Sequence, residues 1–503
     1  MECIITIELG TNAVRVYAFG LDGTVIGSAK GSYPTFHPDP DYSEQDPEQI
    51  FITMLYVLKN FLSEKIHPKK IKVLSLCFSA AMHSVLAIDK HGVPLGNAII
   101  WADNRGKRLA QALKEEALGA EIYKATGTPI HPMSPLIKIA WLKAHDQERF
   151  GKTYKFLSIK TYIIQQLTGE YLIDYSLASA TGLLNIHTKG WEPNSLDYAG
   201  ITTDKLPELV PIFHSPGGLQ TQYQTSLGLT AKTKILIGSS DGCLATLGAG
   251  VWNDGKATVT IEDSGAVRVA GKQVLQDNDQ RFFNYILDDE HYISGGPTNN
   301  GGVVFDWFAN QFGDFKKAFD IESCTNELIT EAATVSPGAD GLLFLPYLLG
   351  ERAPIWNANA RGVFFGVNIN HERKHFIRAT IEGILYEILS IGKTLQEHRT
   401  INRISVNGSF ASIPLCTQII ADVFNMPVNI NKNTNSVSLG AFLISATEMG
   451  LYKNLDDAAQ TIVPPDEYKP NKANHAVYSN YFNVFQRLTA RLYDEFESIA
   501  NLQ

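Results

Sequence analysis

Ile5-Thr6-Ile7-Glu8-Leu9-Gly10-Thr11-Asn12-Ala13-Val14-Arg15-Val16, near the start of the chain, is echoed in its second half by Val259-Thr260-Ile261-Glu262-Asp263-Ser264-Gly265-Ala266-Val267-Arg268-Val269. The two stretches align once one loop position is dropped. Each is an apolar run, a polar turn containing glycine and a second apolar run, which predicts a β-turn-β unit. Two copies imply a duplicated domain. Each turn presents backbone N–H groups that can form an anion-binding nest, and two such turns can hold a polyphosphate from both sides. Short hairpins also resemble one another by chance, so the repeat needs support from the rest of the chain.

Size and charge narrow the class. A chain of 503 residues exceeds what one hydrophobic core organises, so two large domains are expected. With 43 Lys+Arg against 52 Asp+Glu, the net charge of −9 offers no footprint for nucleic acid or an anionic membrane, and favours a small-molecule ligand. The five cysteines, Cys3, Cys77, Cys243, Cys324 and Cys416, are widely spaced and form neither a disulfide framework nor a metal motif. No basic leader precedes the first apolar run and no 18-residue apolar stretch occurs, so a cytoplasmic protein is expected.

After the first repeat, Asp22-Gly23 signals a hairpin into Thr24–Ser28. Asp46-Pro47-Glu48-Gln49 reads as a helix start with a capping box ahead of the amphipathic Ile50–Leu62. Ile71–Phe78 reads as a buried strand ending in Ser79–Ser84, and Asn97–Trp101 ends in Ala102–Arg105. Ile235–Ile237 is a third such strand, followed by an expected loop, Gly238-Ser239-Ser240-Asp241-Gly242, and a small-residue helix. Ligands gather beyond the carboxyl ends of such strands, so these loops are candidates for one cavity. Asp241 at a strand-to-helix junction suits a general base, and equally suits a helix cap. Downstream, Ser294–Gly302 reads as a glycine-rich loop entering a helix from Val303, either a phosphate site or a connector. Phe376–Leu395 is a packing helix, Arg403–Val406 a strand, and Asn407–Ser412 a turn into the helix Ile413–Val423.

Some motifs mislead. His371-Glu372-Arg373-Lys374-His375 matches a zinc-protease pattern, but it opens the packing helix and has no third ligand in sight. Gly151-Lys152-Thr153 and Gly392-Lys393-Thr394 imitate the end of a P-loop, yet Asp146 and Glu387 stand where its first glycine belongs.

Taken together, Gly10-Thr11-Asn12, Ser239-Ser240-Asp241-Gly242, Gly408-Ser409-Phe410-Ala411-Ser412 with Gln418, and Leu439-Gly440-Ala441 resemble the signature loops of the FGGY carbohydrate kinases. Within that family the longer runs Phe78–Ser84, Thr126–Pro135 and Gly350–Gly362 look most like those of gluconate kinases. The resemblance implies an α/β fold of two duplicated ribonuclease-H-like domains, as in actin and hexokinase, around a central cleft, with a boundary near residues 246 and 247. It implies an ATP-dependent transfer of phosphate to the terminal hydroxyl of D-gluconate, with Asp241 as the base. Met82, His83, Asp103 and Asp241 would contact the sugar acid. The nucleotide would be held by Gly10, Thr11, Asn12, Arg15, Ser264, Gly265, Gly301, Gly302, Gly408, Ser409, Phe410, Ala411, Ser412 and Gln418. Glu8 and Asp241 would hold magnesium. A homodimer is left open.

The chain departs from the family pattern at Glu8, where Asp is usual, and at Glu262-Asp263-Ser264, where Gly-Thr-Ser is usual. An added methylene shifts a carboxylate by about 1 Å, a displacement that can cost roughly 100-fold in rate. The second change adds negative charge beside the expected phosphates. The sequence therefore leaves open a gluconate kinase, a kinase of another sugar such as xylulose, and a catalytically weak sugar-acid-binding protein.

Overall fold

The computed structural model describes residues 1–253, 255–312, 321–430, 435–462 and 466–502, and the Cys324 side chain lies outside the described part. The chain packs as two units. The first is Met1–Trp252 with Gly271–Ser294 and Thr434–Ile462; the second is Asn253–Ala270 with Gly295–Asn433 and Val463–Gln503. A single boundary near residue 246 was expected, whereas two segments of the second half return to the first unit. Among the described residues, no helix is long and apolar enough to cross a membrane.

In the first unit, β1 (Glu2–Leu9), β2 (Ala13–Gly20) and β3 (Val25–Ser32) form the expected antiparallel meander. β4 (Lys72–Ala80) and β5 (Lys234–Ser240) join it in parallel, giving the order β5-β4-β1-β2-β3. The central strands are apolar on both faces, with Ile5, Ile7, Phe78 and Ile235 on one side and Ile4, Cys77 and Leu236 on the other all fully buried, as parallel strands covered by helices must be. The helix Pro47–Phe61 has the expected N-cap, the Asp46 carboxylate accepting the N–H groups of Glu48 (2.9 Å) and Gln49 (3.2 Å).

β5 runs further than expected. Residues Gly238 to Ser240 are strand, and the helix begins at Asp241 itself. The register slips between Leu236 and Ser239, and Gly238 takes φ +64°, where a Cβ would lie 1.9 Å from the Phe78 carbonyl oxygen. What reads as a loop is a glycine bulge that re-aims the strand end.

The second unit repeats the plan. β6 (Gly255–Ile261) and β7 (Gly265–Gly271) pair antiparallel, as β1 and β2 do. β8 (Tyr292–Thr298) lies beyond β7, while β9 (Ile401–Asn407) and β10 (Val428–Ile430) add in parallel, as β4 and β5 do. Much of the expected glycine-rich loop is therefore β8, and the helix behind it is Gly302–Phe312. Glycine is used there for proximity: a Cβ on Gly296 would meet Ala353 Cβ at 2.6 Å and Ile391 Cγ2 at 2.7 Å. Ile391 belongs to the long packing helix Arg373–Gln396.

The returning helix Ser436–Glu448 packs on β1, β4 and the helix Asp241–Gly248. Glycines set that last contact, since a Cβ on Gly248 would lie 1.9 Å from the Ser436 oxygen and one on Gly440 2.2 Å from the Leu244 oxygen. In an exposed helix Gly→Ala adds about 1 kcal/mol of stability. Here overpacking reverses the sign, so Gly440→Ala is expected to destabilise by roughly 1–3 kcal/mol. Thermal and urea unfolding check this; an unchanged or raised midpoint would sink the close-contact account.

Candidate active site

The parallel strands set the site's first row. Glu8 on β1 pairs with Ser79 on β4, and Ser79 with Ser239 on β5, so the three stand side by side at the carboxyl edge. Asp241 follows two residues beyond Ser239. Two strand spacings put the Glu8 and Ser239 backbones roughly 10 Å apart, with Asp241 beyond Ser239. That edge is where open α/β sheets place ligands.

Asp241 is half-buried and is the first residue of its helix, where the backbone dipole favours a negative charge. Its carboxylate accepts the Gly242 N–H at 2.6 Å, so it has some of the cap character also read from the sequence. The residues before it are anchored firmly. Lys160 is buried, pairs with buried Asp174 at 2.7 Å and donates to the Ser239 carbonyl at 3.1 Å. Asp174 also caps the short helix Tyr175–Ser179, and Ser176 on that helix exchanges a 2.6 Å hydroxyl bond with Ser240. A buried ion pair contributes little net stability, but losing one partner strands the other charge, which keeps the strand end in place.

Glu8 forms a cross-strand ion pair with Arg15, its direct partner on β2, at 2.8 Å. Arg15 is thus tied to Glu8 beside the first turn. The turn itself is held from the sides. Tyr33 donates its hydroxyl to the Gly10 carbonyl, Gln45 its amide to the Thr11 carbonyl, and the Trp101 indole donates to the Thr11 hydroxyl at 2.9 Å. The Asn12 carbonyl accepts from Tyr33 N–H at 3.2 Å. Gly10, Thr11, Met82, Ser84 and Trp101 line a small cavity.

His83 is buried behind Met82 in a left-handed backbone conformation, φ +68°. Its Nδ1 lies 2.8 Å from the Ala180 carbonyl oxygen, which can only accept, so Nδ1 carries the proton and Nε2 faces the Tyr285 hydroxyl at 3.4 Å. Asp103 is fully buried; Arg105 grips both its oxygens and the Ser43 N–H adds a bond at 2.7 Å. Arg105 also pairs with Glu44 at 2.6 Å and stacks over Tyr42. In this arrangement Asp103 braces the wall of the site from behind.

In the second unit, Gly301, Gly302, Ser409 and Phe410 bond to Ile261, Glu262 and Asp263 at the second turn, and Gln418 does not. The Gly301 and Gly302 N–H groups donate to the Asp263 and Glu262 carbonyls, at 3.2 and 2.7 Å, so these donors face the turn. Glu262 accepts the Ser409 hydroxyl at 2.6 Å, and Phe410 N–H donates to Ile261 at 3.2 Å. Ser264 and Gly265 open β7 beside them, and Ala411 and Ser412 follow in the turn, where the Ser412 hydroxyl returns to the Gly408 carbonyl at 2.7 Å. Gln418 lies on the helix Pro414–Phe424 and donates to Asp422 and to the Lys469 carbonyl.

Among the described residues no group of three or more His, Cys, Asp or Glu is placed to hold a metal ion. The zinc-like motif fails because His371 precedes the helix, while His375 is turned to Asp340 at 3.2 Å. Glu8 and Asp241 offer hard oxygen donors, which suit magnesium held by one or two carboxylates together with phosphates and water.

Sequence reasoning missed Tyr33, Lys160 with Asp174, and Lys138. Lys138 sits among buried apolar residues of the helix Pro135–His145, and a lysine inside an apolar stretch was the available signal. Its ammonium donates to the carbonyls of His83 and Met133, joining two of the loops on which the family likeness rests. Burial pushes its pKa down to about 7 from 10.5, with Asp103 opposing and Arg105 assisting. Below about pH 7 the group is charged in both folded and unfolded chains. Between there and 10.5 only the unfolded chain holds the proton, so stability contributed through Lys138 rises with pH across that window. Urea unfolding of the wild type and Lys138→Met at pH 7 and 9 is expected to show the wild type gaining on the variant; parallel curves would refute the buried-lysine assignment.

Comparison with known proteins agrees with this geometry. Residues 3–248 match the FGGY family of carbohydrate kinases, N-terminal domain, and residues 261–449 its C-terminal domain. The chain is 37% identical to the gluconokinase of Bacillus subtilis (strain 168), over 99% of this chain and 97% of that protein. It is similar in structure to a ligand-bound xylulose kinase from Lactobacillus acidophilus, with a TM-score of 0.92 and 32% identity over 99% of this chain and 100% of that one. The gluconate kinase from the same organism superposes with a TM-score of 0.91, also at 32% identity, over 99% of each chain. A chain matched over both domains belongs to the FGGY family of carbohydrate kinases, phosphotransferases that use ATP.

Proposed function

We propose that this protein is a cytoplasmic gluconate kinase, transferring the γ-phosphoryl group of ATP to the terminal hydroxyl of D-gluconate. The observation that supports the reading is Asp241 at the carboxyl edge, two residues beyond the Glu8–Ser79–Ser239 row, after the Gly238 bulge and next to the Lys160–Asp174 anchor on Ser239. Asp241 takes the proton of the attacking hydroxyl as its oxygen bonds to the γ-phosphorus and the bond to the bridging oxygen of ADP breaks. Met82 and His83 would orient the sugar acid, and the turn at Ser264–Gly265 with Gly408–Ser412 would receive the nucleotide. Magnesium, with Glu8 and Asp241 as its carboxylates, would neutralise charge along the phosphates.

The two acidic departures from the family pattern have partners within the chain. Glu8 lies against Arg15, and Glu262 accepts from Ser409. The gluconate assignment draws on the 37% identity to a gluconokinase. Xylulose is the second reading, because the two solved relatives, one of each specificity, are equally identical to this chain.

With ATP and magnesium, purified protein is expected to phosphorylate D-gluconate, and Asp241→Asn to lose at least roughly 100-fold in kcat while still binding gluconate. A coupled ADP-release assay with gluconate and xylulose side by side separates the two acceptors, since a site built for a carboxylate leaves polar groups unpaired around a neutral sugar. Preference for xylulose would overturn the gluconate assignment, and full activity in Asp241→Asn would remove the base.

A further inference from the structure

Glu351 is completely buried, directly after Gly350, and plays no part in the chemistry above. Four donors converge on its two oxygens. Oε2 accepts from the Thr298 hydroxyl (2.7 Å) and the Asn300 amide (2.9 Å), and Oε1 from the N–H groups of Asn299 (3.1 Å) and Arg352 (2.6 Å). The Thr298 hydroxyl oxygen itself accepts the Asn300 N–H at 2.9 Å, so its own proton is directed at Glu351. One carboxylate thus grips three consecutive residues at the end of β8. The next two, Gly301 and Gly302, are those that dock on the Glu262 and Asp263 carbonyls.

A second buried carboxyl, Glu387, stands near, with the Tyr347 hydroxyl as its partner at 2.8 Å. Burial together with the Glu351 charge drives its pKa well above the ordinary carboxylate range, whereas at Glu351 the upward push of burial is opposed by the four donors. Four donors need four acceptor sites, which only an ionised carboxylate has.

We propose that Glu351 is a positioning residue for nucleotide binding: its carboxylate fixes Thr298–Asn300 and, through them, seats Gly301–Gly302 beneath the Glu262–Ser264 turn. The inference rests on the reading of that turn as part of the nucleotide site. It is independent of which sugar is phosphorylated.

The distinction from a merely structural knot lies in which ligand suffers. Glu351→Gln turns one acceptor into a donor facing donors already there, so Mg–ADP binding measured by calorimetry is expected to weaken roughly tenfold to a hundredfold. Gluconate affinity is expected to stay within about twofold. Glu387→Gln mimics the protonated acid and is expected to leave both affinities within about twofold. Thr298→Val removes one donor of the four and keeps the shape; it is expected to weaken Mg–ADP by several-fold, and it decides the question if Glu351→Gln does not fold. Equal loss of both ligands in Glu351→Gln, a loss in Glu387→Gln as large as in Glu351→Gln, or unchanged Mg–ADP binding in Thr298→Val would overturn the proposal. So would absence of Mg–ADP binding in the wild type. A wild type that binds Mg–ADP without phosphorylating gluconate would defeat the acceptor assignment alone, and the Glu351 series would still be scored on Mg–ADP.

Discussion

The parallel pairing of β4 with β1 and of β5 with β4 aligns Glu8, Ser79 and Ser239 across three strands, and the candidate base Asp241 follows beyond the end of that row. Parallel ladders are stable only when both faces are covered. One of the covering helices, Ser436–Glu448, comes from late in the chain and reaches the sheet because glycines at 248 and 440 let two helix backbones touch. The strand edge that carries the candidate site therefore depends on packing between segments distant in sequence. The same logic accounts for the chain crossing between its two units instead of dividing once.

Both units solve one problem, that of holding polar backbone still beside a strand edge, with buried charge. Lys160 with Asp174 secures the Ser239 carbonyl, Lys138 the His83 and Met133 carbonyls, and Glu351 the donors of Thr298 to Asn300. Removing an ion from water costs several kcal/mol, so each of these groups is tolerable only with its partners in place. A loop bound in this way moves little without stranding a charge. Rigidity of that kind suits phosphoryl transfer, in which the protein contributes mainly position and electrostatics.

Much of this was legible beforehand. The repeat between Ile5–Val16 and Val259–Val269 foretold matching β-turn-β units, and β1–β2 and β6–β7 are such units. The Asp46-Pro47 start, the strand at 71–78 and the long packing helix were legible for the same reason. The glycines were harder. At 238 and 296 they read as loop, yet they lie in strands, where the missing Cβ admits a neighbouring backbone or side chain. Glycine marks both conformational freedom and close approach, and sequence does not distinguish the two. The sequence did not show that the Asp103 carboxylate is bonded by Arg105 and by the Ser43 N–H.

The sequence by itself determined the duplicated strand pattern, the helix starts and the family likeness carried by the loops, because these rest on spacing, side-chain type and local hydrogen bonding. Only the tertiary structure decided that Asp241 opens its helix, that Glu8 answers to Arg15, and that Lys138, Lys160 and Glu351 are buried with specific partners. Those outcomes turn on desolvation and on residues tens to hundreds of positions away. A charge in an apolar run announces that it needs a partner; the packed fold names the partner.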